Sequence, residues 1–326
     1  MAAIARRRCK PTVPRSGALA LALGVGVSSS WLGCGAAELP VPLPRVEALF
    51  DTPGEYRILS TLPCAQGVGL VYVVSSQGEL ISFNPEALEF SLIGRLDCPS
   101  RYGATPNSMA VDRSGTAWLN YTDGSLWRAS TRDASCEPSG YRSGQRGFDV
   151  VGMAFASTGP ELIGETLFFW GGHQWRQEYA PPEDDDPEAS SGPRAGLGLA
   201  AVDTSRLVLR QVGDDPEGIG DVRGELTGTG DGKLYGFFAT VPATLAEVDL
   251  RTGATLRPRV LSNVHTGHAW AFSSWGGNFY FYTSSNGYSS DVSRLSGQDE
   301  VAQVVLADIG FVIVGAGVST CAPTGP

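Results

Sequence analysis

Five stretches of this chain place a glycine ahead of an alternation of large apolar and smaller residues. They are "GVGLVYVVSSQG" from Gly67, "GTAWLNYTDG" from Gly115, "GETLFFWGG" from Gly164, "GKLYGFFAT" from Gly232 and "GNFYFYTSS" from Gly277. The third position after each glycine holds Leu70, Trp118, Leu167, Tyr235 and Tyr280, and the fifth holds Tyr72, Asn120, Phe169, Phe237 and Tyr282. A period of two over so short a run predicts β-strands. Four of the glycines follow an inner-strand candidate, "NSMAVD", "VGMAFA", "RGELTG" or "HAWAFS". Outer strands ending in polar turns follow in "ISFNPEA", "AAVDTSR" and "AEVDLRTG".

Consecutive glycines lie 48 (67 to 115), 49 (115 to 164), 68 (164 to 232) and 45 (232 to 277) residues apart. That spacing is the size of a four-stranded propeller blade. The long interval holds "HQWRQEYAPPEDDDPEASSGPRA", read as a loop inserted in the third blade over residues 173–195. One period beyond Gly277 falls just after "IVGAGVSTC", which matches the inner strands. The ring therefore closes by a C-terminal inner strand joining the N-terminal strands. The expected fold is an all-β propeller of five blades, with six as the alternative if a degenerate blade hides in the long interval or near "EYRILSTLP". The aromatic-rich "HAWAFSSWGGNFYFYT" is then two adjacent strands whose rings are mostly core between blades.

Composition agrees with such a fold: of 326 residues 42 are glycine, and charged residues make up only 18%. The first 33 residues read as a targeting segment. Arg6, Arg7, Arg8, Lys10 and Arg15 precede the short apolar run "GALALALGVGV", and Leu32-Gly33-Cys34 resembles the end of a bacterial lipobox, with Trp31 where that motif usually has Leu. The expectation is a signal peptide over 1–33, lipidation at Cys34, a tether over 34–56 and one propeller domain over 57–326. Gly35, not Asp, follows the cysteine, which favours the outer membrane. Losing the five basic residues of the segment takes the net charge from −10 to −15. Such a chain repels phosphate backbones and anionic bilayers, so nucleic acid is not an expected partner, and membrane contact would run through the lipid. A monomer is expected.

Cys9 leaves with the signal, so Cys64, Cys98, Cys136 and Cys321 remain, an even set that predicts two disulfides in an exported chain. Circular closure pairs Cys64 with Cys321 at the seam and leaves Cys98 with Cys136. At this point the wording of "IGRLDCP", "SMAVDRSGTAWLNY", "ELTGTGDGKLYGFF" and "IVGAGVSTCAP" resembles a family of predicted lipoproteins of myxobacterial genomes. The resemblance implies a propeller-like fold and an envelope location, and it carries no activity.

Candidate chemistry is sparse. In "ELTGTGDGKLYG" the glycines precede a strand, so no helix N-terminus meets a phosphate, and Asp231-Gly232 reads as a hairpin turn. "PPEDDDPEAS" lacks the ligand alternation of a calcium loop. The three histidines are His173, His265 and His268, and no nucleophile elbow occurs.

Aligning the inner strands gives one column of Asn107, Val151, Arg223, His268 and Val314, and another, two places on, of Met109, Met153, Glu225, Trp270 and Ala316. Glu225 is the one charge in its column, with Arg223 on the same strand face. These two residues either satisfy each other beside the central channel or clamp a ligand there. Asn107, Arg223, Glu225 and His268 are the candidate binding residues of an envelope-anchored, non-catalytic propeller with no cofactor, whose partner would be a glycan, a peptide or an envelope protein. The alternative is a lactonase-like hydrolase holding one divalent cation, calcium for instance, among Asn107, Asp149, Asp221 and Glu225.

Overall fold

The computed structural model describes residues 63–101, 103–158, 164–172, 195–297 and 299–325. The expected signal peptide, Cys34, the tether, His173 and the acidic loop up to residue 194 lie outside them.

Each alternating stretch forms a strand of a four-stranded antiparallel sheet, and five such sheets are present among the described residues. In chain order the first three strands are β1 (Val71–Ser75), β2 (Glu79–Asn84) and β3 (Glu89–Arg95). Blade 2 follows as β4 (Pro106–Val111), β5 (Thr116–Tyr121), β6 (Leu126–Ser130) and β7 (Cys136–Pro138). Blade 3 is β8 (Gly152–Thr158), β9 (Gly164–Gly171), β10 (Gly198–Asp203) and β11 (Val208–Gly213). Blade 4 is β12 (Gly224–Gly228), β13 (Leu234–Phe238), β14 (Ala243–Val248) and β15 (Thr255–Leu261). Blade 5 is β16 (Ala269–Trp275), β17 (Asn278–Ser284), β18 (Asp291–Ser296) and β19 (Gln303–Leu306). The last strand, β20 (Ile313–Val318), pairs antiparallel with β1 and supplies the inner strand of blade 1. The protein is a five-bladed β-propeller. The extra length of the third interval enters between β9 and β10, inside blade 3.

Inner strands β20, β4, β8, β12 and β16 pack on one another in cyclic order around the axis. The core is divided accordingly into five apolar clusters, one between each pair of neighbouring blades. Blades 1 and 2 meet through Tyr72, Met109 and Leu119. Blades 2 and 3 meet through Trp118, Met153 and Phe169. Phe168, Trp170 and Phe238 fill the next gap, Phe237, Phe272 and Phe281 the one after, and Tyr280, Tyr282 and Phe83 complete the circle. Each buried ring contributes about 2 kcal/mol or more of burial to its interface. Around the axis the strands approach backbone to backbone. A Cβ on Gly152 would lie 2.0 Å from the carbonyl oxygen of Gly224, so only glycine fits there.

The seam is held by the Cys64–Cys321 disulfide, and Cys98–Cys136 ties the approach to blade 2 onto its outer strand. Two such bridges are stable in an oxidising compartment. No helix among the described residues is long and apolar enough to cross a membrane.

Strand pairing corrects the inner-strand alignment in two places. In four blades the side chain at the fifth position after the glycine (Tyr72, Asn120, Phe237 or Tyr282) faces the next blade, but in blade 3 Leu167 and Phe169 face back toward Trp118 of blade 2. There the residues facing forward are Phe168 and Trp170. The alignment is slipped by one residue, which exchanges the faces of a strand. In blade 2 a bulge between Pro106 and Ser108 takes Asn107 out of register. Partners of the forward-facing residues define the true layer: Ser108, Gly152, Glu225, Ala271 and Gly317. Glu225 is thus the one large side chain in a layer of small ones, which leaves room for it near the axis.

Candidate functional site at the mouth of the propeller

All five inner strands run in the same sense, so their first residues converge at one end of the axis. Asn107, Arg223, Glu225 and His268 all line one cavity of about 180 Å³ there, together with Thr105, Thr122, Ala269, Trp270 and Val314. Blades 1, 2, 4 and 5 each contribute. Behind it, near Gly152, Trp170 and Glu225, is a void of about 10 Å³, room for a single water at most.

Glu225 is the deepest member, with 5% of its surface exposed. Ser108 Oγ donates to its carboxylate at 2.6 Å and itself accepts from the Met153 N–H at 3.2 Å. Burial pushes the Glu225 carboxyl up to about 8, against the opposing effects of the Ser108 hydrogen bond and of the Arg223 charge. At neutral pH it is mostly a neutral acid. Arg223 stacks on Trp270, with its guanidinium carbon 4.5 Å from the ring centroid. Burial lowers its pKa to about 10, and the Glu225 charge opposes that shift. Glu225 is hydrogen-bonded from blade 2 and Arg223 stacks on blade 5, while each group feels the other's charge.

Asn107 plays a different part from the one its column implied. As the bulge residue it donates from Nδ2 to Asn120 Oδ1 at 3.2 Å and to the Val151 carbonyl at 3.0 Å. Asn120 in turn accepts from the Val151 N–H at 3.0 Å and donates to the Asp149 carbonyl at 2.9 Å. The two amides strap blade 2 to the start of blade 3. His268 is exposed at the rim, its backbone N–H bonded to the Ser284 carbonyl at 2.7 Å.

The four donors of the expected metal ring do not converge. Asp149 and Asp221 are exposed, and Asp149 lines a separate cavity of about 120 Å³ with Phe148 and Gly196. Among the described residues no three His, Cys, Asp or Glu side chains come together in a cation-binding group. Other carboxylates of the blades, Asp112, Asp203 and Asp249, direct an oxygen to N–H groups of their own turns. The donor set does not fit a divalent cation, and no hydrolytic step follows from it.

Trp270 and Ser108 belong to the site, though the sequence alone did not mark them as site residues. Trp270 stood in the Glu225 column, which was its only signal. Five tryptophans are described, and four of their indole N–H groups have acceptors: Asp112 for Trp118, Ser125 for Trp127, the Val222 carbonyl for Trp170 and the Gly69 carbonyl for Trp275. Trp270 Nε1 is buried without one.

The opposite end of the axis is plugged. Arg113 donates to Thr320 Oγ1 at 2.7 Å and to Ser157 Oγ at 2.8 Å. Glu165 accepts from the Arg113 backbone N–H at 2.8 Å and from Thr320 at 2.9 Å. Burial raises this carboxyl to about 7. A larger cavity, of about 300 Å³, lies on the outer edge of blade 2, where Arg128 and Glu137 pair with each other at 2.8 Å. It draws on a single blade and has no tie to the axis.

The class defined by this geometry is a five-bladed propeller with a polar, axial mouth. No family model matches the chain, and no curated protein does. Among solved structures it is similar to a gluconolactonase from Xanthomonas campestris, at 15% identity over 79% of this chain and 82% of that one, with a TM-score of 0.45. It is also similar to U3-55K, at 9% identity over 76% of this chain and 65% of the other, with a TM-score of 0.39. A protein of unknown function from Bacteroides caccae gives 10% identity, coverage of 76% and 97%, and a TM-score of 0.39. At these identities the likeness concerns the fold alone.

Proposed function

We propose that this protein is an exported binding propeller, held in the bacterial cell envelope by a lipid on Cys34, whose mouth recognises an envelope ligand without making or breaking a bond. The observation that carries the reading is the meeting of Asn107 of blade 2, Arg223 and Glu225 of blade 4, and His268 and Trp270 of blade 5 in one cavity at the axis. A ring of strands is a rigid frame, and polar groups converging on its axis are the usual form of a recognition site. The resemblance to myxobacterial lipoproteins and the basic and apolar order of the first residues support the anchor.

Two experiments test it. Intact mass of the exported protein is expected to show two or three acyl chains on Cys34, and an unmodified N-terminus elsewhere removes the anchor. Binding to immobilised envelope glycans and extracts is expected in the wild type and lost in an Arg223→Met, Glu225→Leu variant whose circular dichroism is unchanged. Undiminished binding by that folded variant contradicts the site.

A further inference from the structure

We infer that the binding surface runs from the axial cavity over the rim of blades 4 and 5, and that it takes a chain of uncharged sugar units, one in the cavity and the next against the ring of Tyr288. This rests on reading the mouth as the binding surface.

Two side chains stand out at this end of the axis. Val241 is 98% exposed and Tyr288 84%, whereas the other exposed large apolar residues lie on or beside the outermost strands β3, β11, β15 and β19. An exposed apolar group is ordinary on a surface, so position decides the matter. Val241 sits in the turn between β13 and β14, where the Ala239 N–H donates to the Arg223 carbonyl at 2.8 Å. Tyr288 sits in the turn between β17 and β18, which touches the cavity wall: a Cβ on Gly287 would lie 3.8 Å from the His268 ring. Both turns are hydrogen-bonded. Asn286 Oδ1 accepts from the Tyr288 and Ser289 N–H groups at 2.8 and 3.0 Å, and Thr240 Oγ1 donates to the Pro242 carbonyl at 2.7 Å. The Tyr288 ring is thus presented to solvent beside the opening, a large, rigid, amphipathic face.

Charge selects the class of ligand. Residues 239–242, 262–268 and 285–290, which form this side of the rim, contain no Asp, Glu, Lys or Arg. The connection leading into blade 4 holds Asp214, Asp215, Glu217 and Asp221. In a chain of net charge −10, such a neutral sector gives an ionic ligand nothing to pair with. The charges that line the cavity are engaged within the protein: Arg223 stacks on Trp270, and Glu225 accepts from Ser108.

The apolar contacts are also single. Val241 follows Thr240, and Tyr288 lies between Asn286 and Ser289. Isolated apolar faces among hydroxyl and amide groups match a sugar, whose C–H faces alternate with hydroxyls. A protein partner covers a continuous apolar core instead. At about 180 Å³ the cavity is smaller than the usual site for a whole ligand, so it holds one ring and the rest of a chain lies on the rim.

Calorimetry on the exported chain tests this with chitotetraose, maltotetraose, mannotetraose, their monosaccharides, tetragalacturonate and a tetra-alanine peptide. At least one neutral tetrasaccharide is expected to bind about tenfold or more tighter than its monosaccharide, with an affinity that salt changes by less than about twofold. Tyr288→Ala weakens it by about three- to tenfold, the size of one aromatic contact, and Tyr288→Phe, which keeps the ring, restores it. A tetrasaccharide that binds Tyr288→Ala undiminished overturns the rim, and binding of tetragalacturonate or the peptide alone overturns the neutral sugar. Envelope extract extends the test beyond these sugars. Its binding is expected to be lost after periodate, which cleaves vicinal diols, and kept after protease. Extract binding that survives periodate, or is lost to protease, overturns this inference and leaves the mouth reading in place. Extract that does not bind, or binding unaffected by the Arg223→Met, Glu225→Leu change, removes both.

Discussion

Ser108 Oγ and Glu225 Oε2, 117 residues apart in the chain, are joined by a hydrogen bond of 2.6 Å that links blade 2 to blade 4 near the axis. Blade 3 enters the same junction through the Met153 N–H, which donates to that hydroxyl. One small side chain therefore satisfies a buried acid and registers three inner strands.

Ser108→Ala is expected to destabilise the fold by about 1–3 kcal/mol, since it leaves the buried Glu225 carboxyl and the Met153 N–H without their partner. Urea unfolding at pH 7 measures this. A change below a few tenths of a kcal/mol would show that the junction contributes nothing to holding the blades.

Stability is expected to depend on pH in the direction opposite to that of a salt-bridged acid. Glu225 is raised from 4.5 to about 8, and Glu165 from 4.5 to about 7. Between those limits the native state holds protons that the unfolded state has released, so stability falls as pH rises from about 4.5 and levels off near 8. Glu225→Gln and Glu165→Gln should each flatten part of that slope. Midpoints of thermal unfolding across pH 4 to 9 test the sign, and a slope unchanged in both variants would contradict it.

The seam bridge closes the longest loop in the molecule. Its cysteines are 257 residues apart, against 38 for Cys98–Cys136, and the chain-entropy model assigns about 5 and about 4 kcal/mol to such loops. Cys64→Ser with Cys321→Ser is therefore expected to lower stability more than the Cys98, Cys136 double change. Denaturant titrations of the two variants compare them, and the reverse order would mean that the pairing of β20 with β1 holds the seam unaided.

The fold was legible because four of the blades write the same local grammar, a turn glycine and then large residues at alternate positions, and blade 3 departs from it only by one residue. Even the ring closure could be read, since "IVGAGVSTC" repeats the inner-strand pattern at the end of the chain. The slip in blade 3 arose because a glycine marks a turn, while strand register is set by pairing. Gly164 itself is the first residue of β9, opposite Thr158. In the site, Arg223 and Glu225 were visible as charges breaking an apolar strand. Ser108 and Trp270 were not, because what makes them matter is contact across the ring between residues far apart in sequence. Asn107 was found for the wrong reason: its position follows from a bulge, and its donors strap two blades together. Asp149 and Asp221 looked like ligands because carboxylates near an axis invite that reading, yet their exposure sets them apart from Glu225.

The most direct test of the mouth as the binding surface is the set of indole N–H resonances in a ¹⁵N-labelled sample, with Trp270 assigned through Trp270→Phe. On titration with envelope glycan extract, the Trp270 signal is expected to shift, because Trp270 lines the mouth and a ligand there changes the surroundings of its indole. Those of Trp118, Trp127, Trp170 and Trp275, already bonded inside the protein, should stay in place. Saturable binding that moves any of those four and leaves Trp270 unmoved would contradict the account.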